Sequence, residues 1–460
     1  MPEPYPKSLL DEKKLSPIKA SFRSWFLIFV LALAALASLF FYIDRIACLF
    51  QSPYKSAISG WDNSFYYYWL RSSVIDGDVD FRNDISDFRT MPSEEQALAL
   101  KIPLTSQGVI PNKYGVGWAV SNAPLFLATH FSIKASNHFL HTDIAEDGFG
   151  PAYQISIYLS QMAWTIFGLL AAYGILRTWF NPAISLLGIL ITWMGSFLFM
   201  YQVSYVSMAH NVVFSALTGI YWCTLRCQKN PLLWRWWRGI GLLSGLMLIT
   251  RYQTGLYLLY PSAVAMSLLV KDHRVWPRVL LGAGLFLVMV SFQLIAWKIM
   301  FGSWLVYSYA GEKLLWFQPH LGDVLFSSHH GLFYWHPLLL ISLAGFILFV
   351  FSFRGFQQIW LPVLLLTWYI NAAWQCWYFG ASFGSRAFEG CVLFFMIGTA
   401  FLLERSAKYT LARYALPTLL LLLVLMNLCV SFAVRKNYIP MEGPVTHREM
   451  ILGLRKMTGF

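Results

Sequence analysis

Ser24-Trp-Phe-Leu-Ile-Phe-Val-Leu-Ala-Leu-Ala-Ala-Leu-Ala-Ser-Leu-Phe-Phe-Tyr-Ile43 is a run of twenty residues without a charge. At about 1.5 Å of rise per residue, such a run spans about 30 Å, the thickness of a bilayer's hydrocarbon core. The basic leader before it (Lys7, Lys13, Lys14, Lys19, Arg23) predicts a cytoplasmic N-terminus. The apolar stretch is too long for a signal peptide and no clear small-residue cleavage site follows, so a retained span is expected.

Composition extends that reading to the whole chain. Of 460 residues, 57% are hydrophobic, 18% aromatic and 12% charged, against about 25% charged in soluble domains. A soluble globular, disordered or fibrous protein is thereby excluded. Further spans are predicted at about 153–176, 183–202, 208–225, 277–301, 337–353, 358–373, 388–404 and 415–434. The run 239–270 is too long for one span and Arg251 interrupts it, so it divides at Arg251-Tyr-Gln253 into two short or kinked helices.

The expectation is an all-α polytopic membrane protein of about eleven spans. Residues 1–23 form a cytoplasmic tail, 24–434 a transmembrane domain with an extracytoplasmic loop at 44–152, and 435–460 a C-terminal tail. This division puts Arg226, Lys229, Arg235, Arg238, Lys271, Arg274, Arg278, Arg354, Arg405, Lys408 and Arg413 inside. Arg435, Lys436, Arg448, Arg455 and Lys456 then fall on the side the charge rule disfavours. Trp234-Arg-Trp-Trp-Arg238 reads as an interfacial anchor.

The formal charge of +12 suggests nucleic acid, yet the cations sit beside apolar runs rather than in one stripe, so nucleic acid is not an expected partner. Six cysteines, Cys48, Cys223, Cys227, Cys376, Cys391 and Cys429, form no C-x-x-C pair and indicate neither a disulfide framework nor a zinc site. No repeat of fixed period is visible.

Twelve of the 22 acids lie between Asp44 and Asp147, inside the long loop. A loop of that length is functional or disordered, and its aromatic content favours order. Asp62, in Trp61-Asp-Asn-Ser-Phe-Tyr-Tyr-Tyr-Trp-Leu-Arg71, sits among rings that can bury it, which suits a general base. A helix cap is the other reading and both stay open. Asp76, Asp78 and Asp80, in Asp76-Gly-Asp-Val-Asp-Phe-Arg-Asn-Asp84, form a secondary acidic group in which a metal is only weakly signalled. Phe81 stands where a calcium loop needs glycine, and position twelve is Asp87 rather than Glu.

Lys113, in Asn112-Lys-Tyr-Gly-Val-Gly-Trp118, precedes an apolar run of about 14 residues that reads as interfacial or re-entrant. There it either touches a lipid phosphate or snorkels. Arg251 in an apolar helix costs roughly 2.5–3.5 kcal/mol, so it must face a cavity, a partner or the interface. A phosphate or a carboxylate would each serve. Arg386, in Gly380-Ala-Ser-Phe-Gly-Ser-Arg-Ala-Phe-Glu389, offers a fork for phosphate or sugar hydroxyls, or pairs with Glu389 at i,i+3. His329, His330 and His336 match no ligand spacing, and His210 reads as structural. No Walker loop, G-x-S-x-G or H-E-x-x-H motif occurs.

At these residues the chain resembles the GT-C glycosyltransferases, multispan enzymes that use polyprenyl-phosphate sugars, including protein O-mannosyltransferases and the lipid A aminoarabinose transferase, and it looks most like bacterial members. The likeness lies in layout: an early span, a large outer loop with an acid near its start, and a helix ending in Leu248-Ile-Thr-Arg251-Tyr. It implies an inverting transfer from a polyprenyl-phosphate sugar to a glycan, lipid or protein acceptor, outside the bacterial inner membrane. It further implies Asp62 as base and Lys113, Arg251 and Arg386 on the donor phosphate. No cofactor is firmly implied, and a divalent cation stays open. The family's Pro-Pro after the Lys is absent here. A transporter or flippase of a lipid-linked glycan, or a non-catalytic glycan-lipid-binding relative, is the competing expectation.

Overall fold

The computed structural model describes residues 17–50, 58, 60–87, 89, 91–309 and 311–458. Lys7, Lys13 and Lys14 lie outside the described residues; Lys19 and Arg23 fall within the first helix. The described residues are helical and hold no strand, only an isolated antiparallel bridge between Leu314 and Trp374.

Helix α1 (Pro17–Cys48) leads into the loop, which carries α2 (Trp61–Arg71), α3 (Arg82–Ser86), α4 (Ser93–Ala99) and α5 (Gly117–Leu140). Then come α6 (Pro151–Leu176), α7 (Pro182–Met194), α8 (Phe197–Val203), α9 (His210–Lys229) and α10 (Trp234–Thr250). A 3-10 segment, Tyr252–Leu258, joins α10 to α11 (Leu259–Lys271), followed by α12 (Trp276–Phe301), α13 (Asp323–Phe326), α14 (Leu332–Trp335), α15 (Pro337–Ser352) and α16 (Trp360–Ala373). A second 3-10 segment, Arg386–Cys391, enters α17 (Val392–Ser406), and α18 (Ala412–Arg435) and α19 (His447–Thr458) close the chain.

Among the described residues, six helices are long and apolar enough to cross a membrane, seven if the bent pair α7 and α8 counts as one span. The expected division at Arg251 is present: Arg251 is extended (φ −149°, ψ 114°) between α10 and the 3-10 segment. Over 183–202 the chain is bent rather than straight: α7 and α8 meet at 81°. At that break Ser196 is extended, and a Cβ on Gly195 would lie 2.5 Å from Leu338 Cδ1, so the chain turns where a neighbouring helix presses on it. Helix α5 runs past its 14-residue apolar core to 24 residues. Its polar side chains are satisfied by α6: Gln161 Nε2 donates to Asn122 Oδ1 (3.0 Å), and His130 Nδ1 lies 2.7 Å from Tyr153 Oη.

Lipid adds no hydrophobic drive between spans, so tight helix pairs need small residues. A Cβ on Gly241 would lie 2.1 Å from Gly282 O, and one on Gly398 1.9 Å from Ser342 O, so α10 meets α12 and α17 meets α15 backbone to backbone. The span through α17 is 89% buried, against 17% for α1 and 11% for α12, which sets α17 at the centre and the other two at the lipid face. The tail shares the loop's side: Asp44, the loop's first residue, pairs with Arg435 (3.1 Å) and Lys436 (2.6 Å), two of the cations the charge rule disfavoured.

The loop has its own aromatic core of Phe65, Tyr67, Tyr68, Trp69, Phe81 and Trp118. Arg71 organises its acids, pairing with Asp76 and with Asp84 (3.2 Å), donating to Asp147 O (2.9 Å) and lying 4.9 Å from the Phe149 ring. A Cβ on Gly148 (φ 82°) would lie 2.7 Å from Arg71 Cγ, so only glycine lets the strap close over this cation. Asp78 accepts from Ser72 Oγ (2.8 Å) and Asp80 pairs with Arg82. The oxygens of Asp76, Asp78 and Asp80 thus face arginine, amide, hydroxyl and backbone N–H groups, and Phe81 is core.

Burial pushes the Asp84 carboxyl up to about 7, helped by Asp76 and Asp78 and opposed by Arg71. An unfolded chain releases that proton near 3.8, so the folded loop binds more protons between the two values and its stability falls as pH rises through that window. Hydrogen exchange over α3, corrected for the intrinsic effect of pH, should show protection declining from about pH 4 to about pH 7 in the wild type. Asp84→Asn should flatten that decline; an equal decline in the variant would refute the assignment.

Candidate functional site

The loop core presents the first turn of α2 to the membrane domain. Gly60 (φ 100°) occupies the cap position, so Asp62 is free of that task and points away from its own helix. Its carboxylate accepts from Tyr114 Oη and from Arg386 Nη2 (2.6 Å). Burial alone would raise the carboxyl, but Arg386, the Tyr114 hydroxyl and Lys113 together hold it below the usual carboxylate range. The positive end of α2 favours the ionised form as well.

Lys113 and Tyr114 arrive on the irregular stretch 112–116, and two glycines explain how. A Cβ on Gly115 would sit 2.1 Å from Ile249 O, and one on Gly117 2.1 Å from Thr250 Oγ1, so this backbone lies directly on the end of α10. The loop is thereby brought beside Arg251. Lys113 Nζ pairs with Glu312 and lies 5.5 Å from the Tyr114 and Tyr309 rings. The Tyr66 ring stacks at a tilt on Tyr114, 4.7 Å between centroids.

Arg251 sits where α10 breaks, with 13% of its side chain exposed. Its Nη1 is 2.9 Å from His210 Nδ1 and 3.3 Å from Glu389 Oε1. With the Gln253 amide turned so that its oxygen faces the guanidinium, that oxygen accepts from Nη2 (2.8 Å) and Nε (2.9 Å). The final cation, Arg386, begins the 3-10 segment after the Gly380–Ser385 turn and donates also to Phe379 O (2.9 Å). The i,i+3 pair expected between Arg386 and Glu389 does not form. The backbone between them leaves helical geometry at Phe388 (φ −89°, ψ 16°), and Arg386 goes to Asp62 while Glu389 goes to Arg251 and His210.

All four residues singled out from sequence, Asp62, Lys113, Arg251 and Arg386, converge on one site, whereas Asp76, Asp78 and Asp80 stay with Arg71, Ser72 and Arg82. The site's cations are matched by Asp62, Glu312 and Glu389, so it is charge-balanced. Sequence reasoning missed Glu312, Tyr114 and Gln253, named Glu389 only as a partner for Arg386, and assigned His210 a merely structural place. Glu389 did carry a signal, since an acid beside an apolar run is costly and calls for a purpose. His336 bonds Asn427 Oδ1 through Nδ1 (2.9 Å) and His329 stacks on Tyr378. Among the described residues, no group of three His, Cys, Asp or Glu is disposed to hold a metal.

The sequence model of the dolichyl-phosphate-mannose-protein mannosyltransferase family matches residues 149–297. No curated protein matches the chain. Among solved structures, the archaeal oligosaccharyltransferase AglB from Archaeoglobus fulgidus, in complex with an inhibitory peptide and a dolichol-phosphate, superposes with a TM-score of 0.51 at 13% identity. That alignment covers 93% of this chain and 57% of AglB, so the chain spans little more than half of that relative's length. ArnT from Cupriavidus metallidurans superposes with a TM-score of 0.47 at 10% identity in the apo state, and 0.45 at 11% bound to undecaprenyl phosphate. Both alignments cover 95% of this chain and 75% of ArnT. The chain is thus an all-helical protein with six helices long and apolar enough to cross a membrane among the described residues, and its fold is similar to that of AglB.

Proposed function

We propose that the protein is an integral membrane glycosyltransferase that moves a sugar from a polyprenyl-phosphate donor to an acceptor hydroxyl or amine, outside the bacterial cytoplasmic membrane. The observation that carries this reading is the 2.6 Å contact between Asp62 and Arg386, with Lys113 beside it. A carboxylate that can take a proton and cations that can take a phosphate thus lie side by side. The family match over 149–297 and the dolichol-phosphate held by AglB support a lipid-linked donor.

In the proposed reaction the donor phosphate takes N–H groups of Arg386 and Lys113, displacing Asp62 and Glu312. Arginine gives phosphate a bidentate fork and lysine a point charge. Asp62, released from Arg386, accepts the proton of the acceptor group. The acceptor oxygen or nitrogen bonds to the sugar C1 while the C1–O bond to phosphate breaks on the opposite face, inverting the anomeric centre. The electron pair leaves with the polyprenyl phosphate, whose growing charge Arg386 and Lys113 stabilise while Arg251 lies behind them. A positioned base contributes about 10²- to 10⁴-fold.

Asp62→Asn should therefore lower kcat for sugar transfer by about 10²- to 10⁴-fold with donor affinity retained, as read with purified protein in detergent, where transport has no meaning. Turnover equal to wild type would refute the base. Because Asp62 is held below its ordinary value of 3.8, it is ionised across the near-neutral range, and the acid limb of kcat/KM should lie below that value in the wild type. Removing the charge in Arg386→Gln leaves burial to dominate, so the limb of the residual rate should move to higher pH. A limb that stays put would break the link between the two residues.

A further inference from the structure

Arg251 has five N–H groups and no acceptor. His210 Nδ1 takes an N–H of Nη1, Glu389 Oε1 lies 3.3 Å from Nη1 as an ion pair, and Gln253 takes Nε and one N–H of Nη2. These holders come from separate elements: the first turn of α9, the 3-10 segment after α10, and the 3-10 segment that carries Arg386. Since the guanidinium can only donate, His210 Nδ1 must accept, which places the imidazole proton on Nε2 and keeps the ring neutral. The ring is itself held by Tyr201, 4.6 Å between centroids. Glu389 is 2% exposed and cannot leave for solvent, unlike Asp62 (28%) and Glu312 (24%).

We propose that Glu389, His210 and Gln253 are positioning residues that fix the plane of Arg251, so that its remaining Nη2 N–H is aimed at the donor phosphate. This rests on the polyprenyl-phosphate reading above. A free arginine loses much rotamer entropy when it binds an anion, and a guanidinium already held by three hydrogen bonds and an ion pair has lost it beforehand. Glu389 also offsets the repulsion between Arg251 and Arg386, which carry like charges on adjoining segments.

The test uses the full chain in detergent and the affinity for undecaprenyl phosphate without a sugar, so no turnover is needed. Glu389→Gln, His210→Ala and Arg251→Gln should each weaken binding by roughly tenfold or more, with Glu389→Asp recovering part of the loss. If Glu389 acts through Arg251, the double variant Arg251→Gln/Glu389→Gln should bind no more weakly than Arg251→Gln alone. That neutral double variant also stands in should Glu389→Gln fail to fold. Losses that multiply, or a Glu389→Gln variant that binds as well as or better than wild type, overturn the positioning role while the functional reading survives. A wild-type protein that does not bind the carrier lipid overturns both.

Discussion

The contact between Asp62 and Arg386 joins residues 324 positions apart and ties the loop to the centre of the helical domain. Removing one member of this part-buried pair destabilises, because the other charge is left without its partner. The loop therefore cannot dock in another register: its one exposed carboxylate at the start of α2 must meet the guanidinium that opens the α17 segment. The glycine contacts at Gly115 and Gly117 and the aromatic core around α2 follow from meeting that demand.

Much of this was legible from apolar runs, because a span is dictated by length and by the cost of charge in lipid. Arg251 disclosed the break between α10 and its continuation for the same reason. The bend between α7 and α8 was not legible. Residues 183–202 are apolar throughout, and the turn is imposed by Leu338 from a helix more than a hundred residues away. Helix α5 was underestimated because its polar residues are satisfied by α6, a partner that periodicity alone does not reveal.

The site divides along the same line. Asp62, Lys113, Arg251 and Arg386 were legible because each is a charge beside apolar sequence that needs a reason to be there. Their pairing was not, since local spacing left an Arg386–Glu389 pair open, and the non-helical backbone at Phe388 that lies between them is a tertiary outcome. His210 was hidden for a different reason. A neutral imidazole at a helix start is unremarkable by composition, and its place in the site depends on Arg251 arriving from α10.

Charge balance separates the roles of the site's acids. A donor phosphate brings negative charge into a site that is already neutral, so it enters only by exchanging with carboxylates the cations now hold. Asp62 and Glu312 are the ones with access to solvent or acceptor, while Glu389 is sealed. On the proposed reading, the exchange at Arg386 is also what frees Asp62: the cation that keeps its basicity low is drawn to the phosphate, and the carboxylate becomes a better proton acceptor once the donor is in place. Base strength is thus coupled to donor occupancy by a shared guanidinium, without any movement of helices.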